Sequence, residues 1–118
     1  MIIEVRTGDD KMMGIFATEC ISVGQLIHVL DDYSCVDRPT RISIQFGEKH
    51  IEDKLGKYLN HGCDPNARMI YSKNKAMLFA IENIQKDDEI LFDYNTTEKM
   101  LAYPFKCNCH GKLITGYE

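Results

Sequence analysis

The sequence lacks the features that mark several classes of protein. No apolar run in its 118 residues is long enough for a membrane-spanning helix. The first residues, Met1-Ile2-Ile3-Glu4, have neither the basic start nor the long apolar stretch of a signal peptide. An excess of basic charge is also lacking, because 18 acidic and 14 basic side chains give a net charge of −4. This charge argues against non-specific nucleic-acid binding, and it fits either a basic substrate or simple solubility.

An even set of regularly spaced cysteines is lacking as well. The chain has five cysteines, unevenly placed, which disfavours a secreted disulfide framework. We therefore expect an intracellular protein, cytoplasmic or nuclear, with no membrane partner and no direct nucleic-acid partner. The length predicts one domain with a small core.

Alternating apolar residues separated by turn signals predict many short strands and little helix. The predicted strands cover residues 2–7, 13–17, 25–30, 42–46, 68–72, 76–80 and 89–93. Residues 53–59 predict one short helix, with Asp53 as its cap. This pattern indicates a compact, mainly β fold without repeats or linkers.

One segment is too rich in chemistry to be a simple connection. Residues 58–67 read Tyr-Leu-Asn-His-Gly-Cys-Asp-Pro-Asn-Ala. Side-chain amides donate and accept hydrogen bonds at once, and an imidazole does either. Gly62 allows a turn that other residues resist, and Pro65 stiffens the chain after it. These properties indicate a functional loop.

A second segment, residues 88–95, reads Asp-Glu-Ile-Leu-Phe-Asp-Tyr-Asn. The two segments together resemble the motifs Asn-His-x-Cys-x-Pro-Asn and Glu-[Leu/Ile]-x-Phe-x-Tyr of SET-domain protein lysine methyltransferases. Every fixed position of both motifs matches, in the expected order. The resemblance implies the SET fold: several small sheets around a pseudoknot, with one or two short helices. It implies a SET domain over residues 1–103 and a post-SET-like tail over residues 104–118, both in one unit.

The resemblance also implies an activity, the transfer of a methyl group from S-adenosylmethionine to a lysine side chain. Tyr94 would orient the reacting amine, and a lysine-containing protein or peptide, such as a basic histone tail, would be the substrate. Phe92 and Tyr33 would line the lysine channel, and Phe92 favours di- or trimethylation because it lacks a hydroxyl. The implied cofactor-binding residues are Met12, Met13, Gly14, Tyr58, Asn60, His61 and Phe105. Residues 11–17, Lys-Met-Met-Gly-Ile-Phe-Ala, resemble the family's N-terminal motif Gly-x-Gly-x-Phe-Ala, and Met12 replaces its first glycine.

The tail also has residues that could bind zinc. Cys107, Cys109 and His110, together with Cys63, resemble the zinc ligands of a post-SET element. A third tail cysteine is lacking, and His110 directly follows Cys109, so a metal-free tail is preferred over zinc. The competing functions are a non-catalytic SET-fold module that binds a peptide or partner, and a small zinc-stabilised interaction domain. A domain this small could also form a homodimer to complete its substrate surface.

Overall fold

The computed structural model describes residues 2–8, 13–40, 42–72, 75–98, 101, 104–106 and 113–117. In these ranges the chain forms twelve short strands and two one-turn 3-10 helices, Gly56–Tyr58 and Tyr94–Thr96. The strands are β1 (Ile3–Thr7), β2 (Met13–Ala17), β3 (Leu26–Val29), β4 (Tyr33–Val36), β5 (Ile44–Phe46), β6 (Lys49–Asp53), β7 (Asn60–His61), β8 (Ala67–Ser72), β9 (Lys75–Ala80), β10 (Leu91–Phe92), β11 (Phe105–Lys106) and β12 (Leu113–Ile114). The predicted mainly β fold is confirmed. Neither 3-10 helix has the length or apolar character needed to cross a membrane, and the described residues contain no other helix.

The described strands pair into five small sheets rather than one large sheet. Three of them are antiparallel pairs or triplets in the body of the fold: β1–β2, β3–β9–β8 and β4–β6–β5. The tail strands β11 and β12 form an antiparallel pair. Only the remaining pair, β7 with β10, is parallel among the described strands. A parallel pair needs a long crossover connection, and here that connection contains the hairpin β8–β9.

The inward faces of these sheets share one hydrophobic core. Alternation along β9 buries Ala76, Leu78 and Ala80, and the same period along β2 buries Ile15 and Ala17. The core therefore lies between several short strands, and the residues around residue 60 and residue 92 border it.

Local contacts explain where the strands and helices differ from the sequence-based prediction. The strand predicted at 89–93 is limited to Leu91–Phe92, because the side chain of Asn66 binds the Glu89 carbonyl at 2.8 Å and the Leu91 N–H at 2.9 Å. The predicted helix at 53–59 is one 3-10 turn, Gly56–Tyr58, and the Asp53 carboxylate accepts from the Gly56 N–H at 2.7 Å. The strands β4 and β6 are not indicated by the sequence pattern as separate strands.

The described part of the tail is hydrogen-bonded to the segment around the second 3-10 helix. The N–H of Leu101 donates to the Thr115 carbonyl at 2.8 Å, and that of Gly116 donates to the Asn95 side chain at 3.1 Å. The N–H of Tyr117 donates to the Glu98 carbonyl at 2.9 Å. The domain limits of 1–103 and 104–118 stay predictions.

Candidate functional site

The two motifs meet at the parallel pair of β7 and β10. Asn60 lies opposite Leu91, His61 lies opposite Phe92, and the Gly62 N–H donates to the Phe92 carbonyl at 3.1 Å. A Cβ atom at Gly62 would lie 2.8 Å from the Cβ of Leu91, which is closer than packed carbon atoms approach. Glycine is therefore needed at this position so that the two motif segments can lie side by side.

Asn66 holds the entry to β10 in place. Its amide group donates to the Glu89 carbonyl at 2.8 Å, and its oxygen accepts from the Leu91 N–H at 2.9 Å. One side chain thus satisfies two backbone groups at a place where a neighbouring strand would normally do so. This explains why an asparagine, with a donor and an acceptor on one amide, ends the first motif.

His61 links the first motif to Tyr94. Its Nδ1 atom accepts a hydrogen bond from the backbone N–H of Tyr94 at 3.0 Å. Since that N–H can only donate, Nδ1 carries no proton and the ring hydrogen is on Nε2, which lies 3.2 Å from the Cys63 Sγ. The Asp93 carboxylate lies 3.6 Å from Nδ1. With a neutral ring this is not an ion pair, and the 2% exposed His61 side chain acts as a neutral orienting group.

Asn60 is held by hydrogen bonds to β2 and to the segment before β10. Its amide group donates to the Met13 carbonyl at 2.9 Å and to the Glu89 carboxylate at 2.8 Å. A Cβ atom at Gly14 would lie 2.4 Å from that carboxylate, so Gly14 provides the space that Glu89 occupies. The oxygen of the Asn60 amide is left as an acceptor beside the Met13 carbonyl and the Glu89 carboxylate. This group of acceptors and one negative charge suits a cationic ligand.

Tyr94 stands where these parts join. Its hydroxyl donates to the Leu59 carbonyl at 2.7 Å. Burial, followed by the negative charges of Glu98 and Glu89, raises the pKa of Tyr94, so the phenol keeps its proton at neutral pH. Because the hydroxyl hydrogen points to Leu59, the oxygen lone pairs are available to another ligand.

Aromatic rings surround Tyr94. Its ring centroid lies 5.2 Å from that of Phe92, 5.3 Å from that of His61 and 6.0 Å from that of Phe105. His61 and Phe105 are themselves 5.7 Å apart in an edge-to-face arrangement. The structure therefore brings together four of the residues expected at the site, from the first motif, the second motif and the tail.

A narrow cavity opens beside Tyr94. Its described lining residues are Thr40, Ile42, Ser43, Ile44, Gly56, Lys57, Leu59, Phe92, Tyr94, Glu98 and Leu101. The cavity volume of about 20 Å³ is the space of one or two water molecules. Its outer wall includes Ile42, which is 39% exposed. Tyr94 and the partly exposed Ile42 therefore line the same cavity.

Other expected site residues lie apart from this group or outside the described residues. Tyr33 lines a separate depression with Glu52 and Lys54, which shares Ile42 and Lys57 with the first cavity. Tyr58 packs against the core, and the Lys57 Nζ lies 5.2 Å from its ring centroid.

Most ligands of the possible zinc site are residues that the structure does not describe. Cys107, Cys109 and His110 lie outside the described residues, as does Met12. Cys63 is described, and its sulfur lies beside His61. No group of three His, Cys, Asp or Glu side chains suited to a metal occurs among the described residues. Both the zinc site and the metal-free tail stay predictions.

Sequence reasoning did not assign roles to three residues that the structure places at the site. Glu89 holds Asn60, Asn66 holds β10, and Glu98 lines the cavity. Glu89 and Asn66 occupy fixed motif positions, which is a signal that they contact something specific. Glu98 lies after the second motif, and no sequence signal distinguishes it from a surface acid.

Small sheets, with two motif segments paired in parallel beside a half-buried tyrosine, are the arrangement of the SET class of fold. The SET domain family model matches residues 12–95. The chain belongs to this family. A solved structure from Plasmodium falciparum, named as a candidate histone methyltransferase, aligns with a TM-score of 0.61 and 24% identity over 78% of this chain and 96% of that one. At this identity the likeness supports the fold alone.

Curated relatives include much longer proteins. The histone-lysine N-methyltransferase ASHH2 of Arabidopsis thaliana is 33% identical over 91% of this chain and 7% of its own length. A histone-lysine N-methyltransferase of Yarrowia lipolytica, named as H3 lysine-36 specific, is 27% identical over 98% of this chain and 18% of its own length. The chain therefore spans a small part of both relatives.

Proposed function

We propose that this chain is an S-adenosylmethionine-dependent protein lysine N-methyltransferase. The observation that carries the proposal is the position of Tyr94. On one side its ring meets His61 and Phe105, and on the other it lines the cavity with Phe92. Residues expected to hold a cofactor and a residue expected to line the lysine channel thus all contact one tyrosine.

The residues around Asn60 fit the cofactor. The amide oxygen of Asn60 and the carbonyl of Met13 are acceptors for its amino group, and the Glu89 carboxylate favours its positive charge. Phe105 and His61 offer aromatic surface for its adenine. When bound, S-adenosylmethionine supplies an electrophilic methyl group on a sulfonium.

Tyr94 orients the groups that react. Its proton stays on the hydroxyl and is donated to the Leu59 carbonyl, so the oxygen accepts from the lysine amine and from polarised C–H groups. Holding nitrogen and methyl in line supplies much of the acceleration, because alignment replaces a collision in solution. The lysine must lose its proton first, and the positive charge of the bound cofactor disfavours the ammonium form.

Phe92 limits the space around the amine. It is 1% exposed, and its ring packs against that of Tyr94. A phenylalanine places no hydroxyl and no ordered water beside the nitrogen, which favours addition of a second or third methyl group. The substrate is a lysine in a basic segment such as a histone tail, in keeping with the net charge of −4 and the names of the relatives.

The first experiment measures S-adenosylmethionine binding by calorimetry and methyl transfer from radiolabelled cofactor to core histones. The wild-type chain is expected to bind and to transfer. Asn60→Ala is expected to weaken cofactor binding, because it removes the amide oxygen and leaves Glu89 without its partner.

Tyr94→Phe is the matched variant for the chemical step. It keeps the ring packing and loses only the hydroxyl, so transfer is expected to fall by about 100-fold while cofactor binding persists. Near-normal turnover in this variant would contradict the role of Tyr94. A folded wild-type chain that binds no cofactor would favour the non-catalytic SET-fold module instead.

A further inference from the structure

Glu98 is a buried acid that the proposed reaction does not yet use. It is 4% exposed and lies two residues after the second 3-10 helix, with its N–H bonded to the Tyr94 carbonyl at 2.9 Å. One carboxylate oxygen accepts from the Gln45 N–H at 2.7 Å. Glu98 also lines the cavity beside Phe92 and Tyr94.

The hydrogen-bonding partners described for this carboxylate are uncharged. Glu98 takes part in none of the ion pairs among the described residues, and its hydrogen bonds come from the neutral groups of Gln45 and Thr97. Burial raises its pKa, although those hydrogen bonds and His50 oppose the shift. A buried carboxylate in this condition gains most from a cation that enters its site.

The described walls of the cavity would suit a side chain with an apolar stem and a charged end. Its described walls are largely apolar, with Ile42, Ile44, Leu59, Phe92 and Leu101, and its described charged side chains are Glu98 and Lys57. An alkyl chain would pack against those walls while a terminal ammonium reached the carboxylate. Since the volume is about 20 Å³, the outer wall at Ile42 must move outward to admit a side chain.

We propose that Glu98 binds the ammonium group of the target lysine and selects a cationic side chain for the cavity beside Tyr94. This inference rests on the proposed function for the identity of the substrate, but the binding step does not depend on methyl transfer. Glu98 binds the charged lysine as it enters the cavity, and the amine must give up its proton before Tyr94 orients it.

The test uses n-butylammonium, which reproduces the whole lysine side chain beyond the α-carbon, and its neutral counterpart 1-butanol. Binding to the full chain is followed by NMR through the methyl signals of Ile42, Ile44 and Leu101. Glu98→Gln removes the charge and keeps an oxygen that accepts from the Gln45 N–H. Glu82→Gln, at an exposed acid outside the cavity lining, is the matched control.

We expect n-butylammonium to bind wild type and Glu82→Gln alike, and Glu98→Gln about tenfold more weakly or worse, the size of one charge-assisted hydrogen bond. The alcohol should bind wild type and Glu98→Gln equally. Equal affinity of the cation for wild type and Glu98→Gln, or no binding to wild type, would overturn the inference.

Kinetics separate this inference from the proposed function. If wild type methylates a histone, Glu98→Gln should raise KM for the protein substrate more than it lowers kcat. A wild-type chain that binds the cation through Glu98 but transfers no methyl group would leave the inference standing and refute the enzyme. Normal methylation by Glu98→Gln with an unchanged KM would support the enzyme and refute the role of Glu98.

Discussion

Two buried carboxylates, those of Asp53 and Glu98, have different hydrogen-bond partners. Asp53, at the end of β6, is 1% exposed, and one oxygen accepts from His28 Nε2 at 3.0 Å and from the N–H groups of Leu55 and Gly56 at 3.2 and 2.7 Å. Glu98, beside the cavity, is 4% exposed and accepts from Gln45 and Thr97. Burial penalises both charges, yet the pKa of Asp53 is lowered and that of Glu98 is raised.

The partners of the two carboxylates distinguish an acid that stabilises the fold from one that is placed to bind a ligand. The bonds to Asp53 tie β3, β6 and the first 3-10 helix together, and they outweigh the cost of its burial. Its other oxygen, Oδ1, is buried without a hydrogen-bond partner among the described residues. Among the described residues Glu98 accepts from neutral partners and lines a cavity, so a cation that enters there would meet a carboxylate with no described ion pair.

The largest expected effect follows from replacing each acid by its amide. Asp53→Asn should lower the free energy of unfolding by about 1–3 kcal/mol, because the new NH₂ group is a buried donor and the bond from His28 loses its charge. Glu98→Gln keeps its acceptor and removes a penalised charge, so it should cost no stability at neutral pH. Urea unfolding followed by circular dichroism measures both. If Glu98→Gln were as unstable as Asp53→Asn, both carboxylates would be stabilising and the proposed difference between them would be wrong.

The sequence predicts best those parts of the fold in which regular patterns decide the structure. The β8–β9 hairpin follows from alternation, since Ala67 and Met69 face inward and pair with Ala80 and Leu78. The parallel pairing of β7 and β10 cannot be read from alternation, because each strand has two residues. The resemblance of the two motifs to a known family implies a pseudoknot but does not predict this pairing.

The candidate site shows the same limit. Tyr94, His61 and Phe105 were expected together from the resemblance, and the structure places their rings in contact. Glu98 could not be predicted, because its burial depends on the C-terminal tail packing over the second 3-10 helix. A contact made by distant segments leaves no local signal in the sequence.

A smaller effect is expected at the partner of Asp53. His28→Leu removes one hydrogen bond to the carboxylate and leaves those from Leu55 and Gly56 in place. The loss should be about 0.5–1.5 kcal/mol, less than for Asp53→Asn. The pKa of Asp53 should rise in this variant, which carboxyl NMR measures directly. An unchanged pKa would mean that the two N–H groups alone stabilise the charge.

The smallest effect lies in the pH dependence of stability, where the two acids should act with opposite sign. Because the pKa of Asp53 is lowered from 3.8, its stabilisation is fully present above that value and is lost as the pH falls through the folded-state pKa. Because the pKa of Glu98 is raised from 4.5, its penalty is present at neutral pH and disappears as the pH falls below 4.5.

Melting temperatures of both amide variants between neutral and acidic pH measure this difference. The charged or titratable groups around Glu98 are Lys57, His50, Tyr71, Tyr94 and Tyr117. Any advantage of Glu98→Gln over wild type should shrink as the pH falls toward 4.5, whereas the deficit of Asp53→Asn should shrink only at lower pH. If the melting temperature of Glu98→Gln instead rose relative to that of wild type on acidification, the charge of Glu98 would be stabilising. The carboxylate would then already have its cation within the chain.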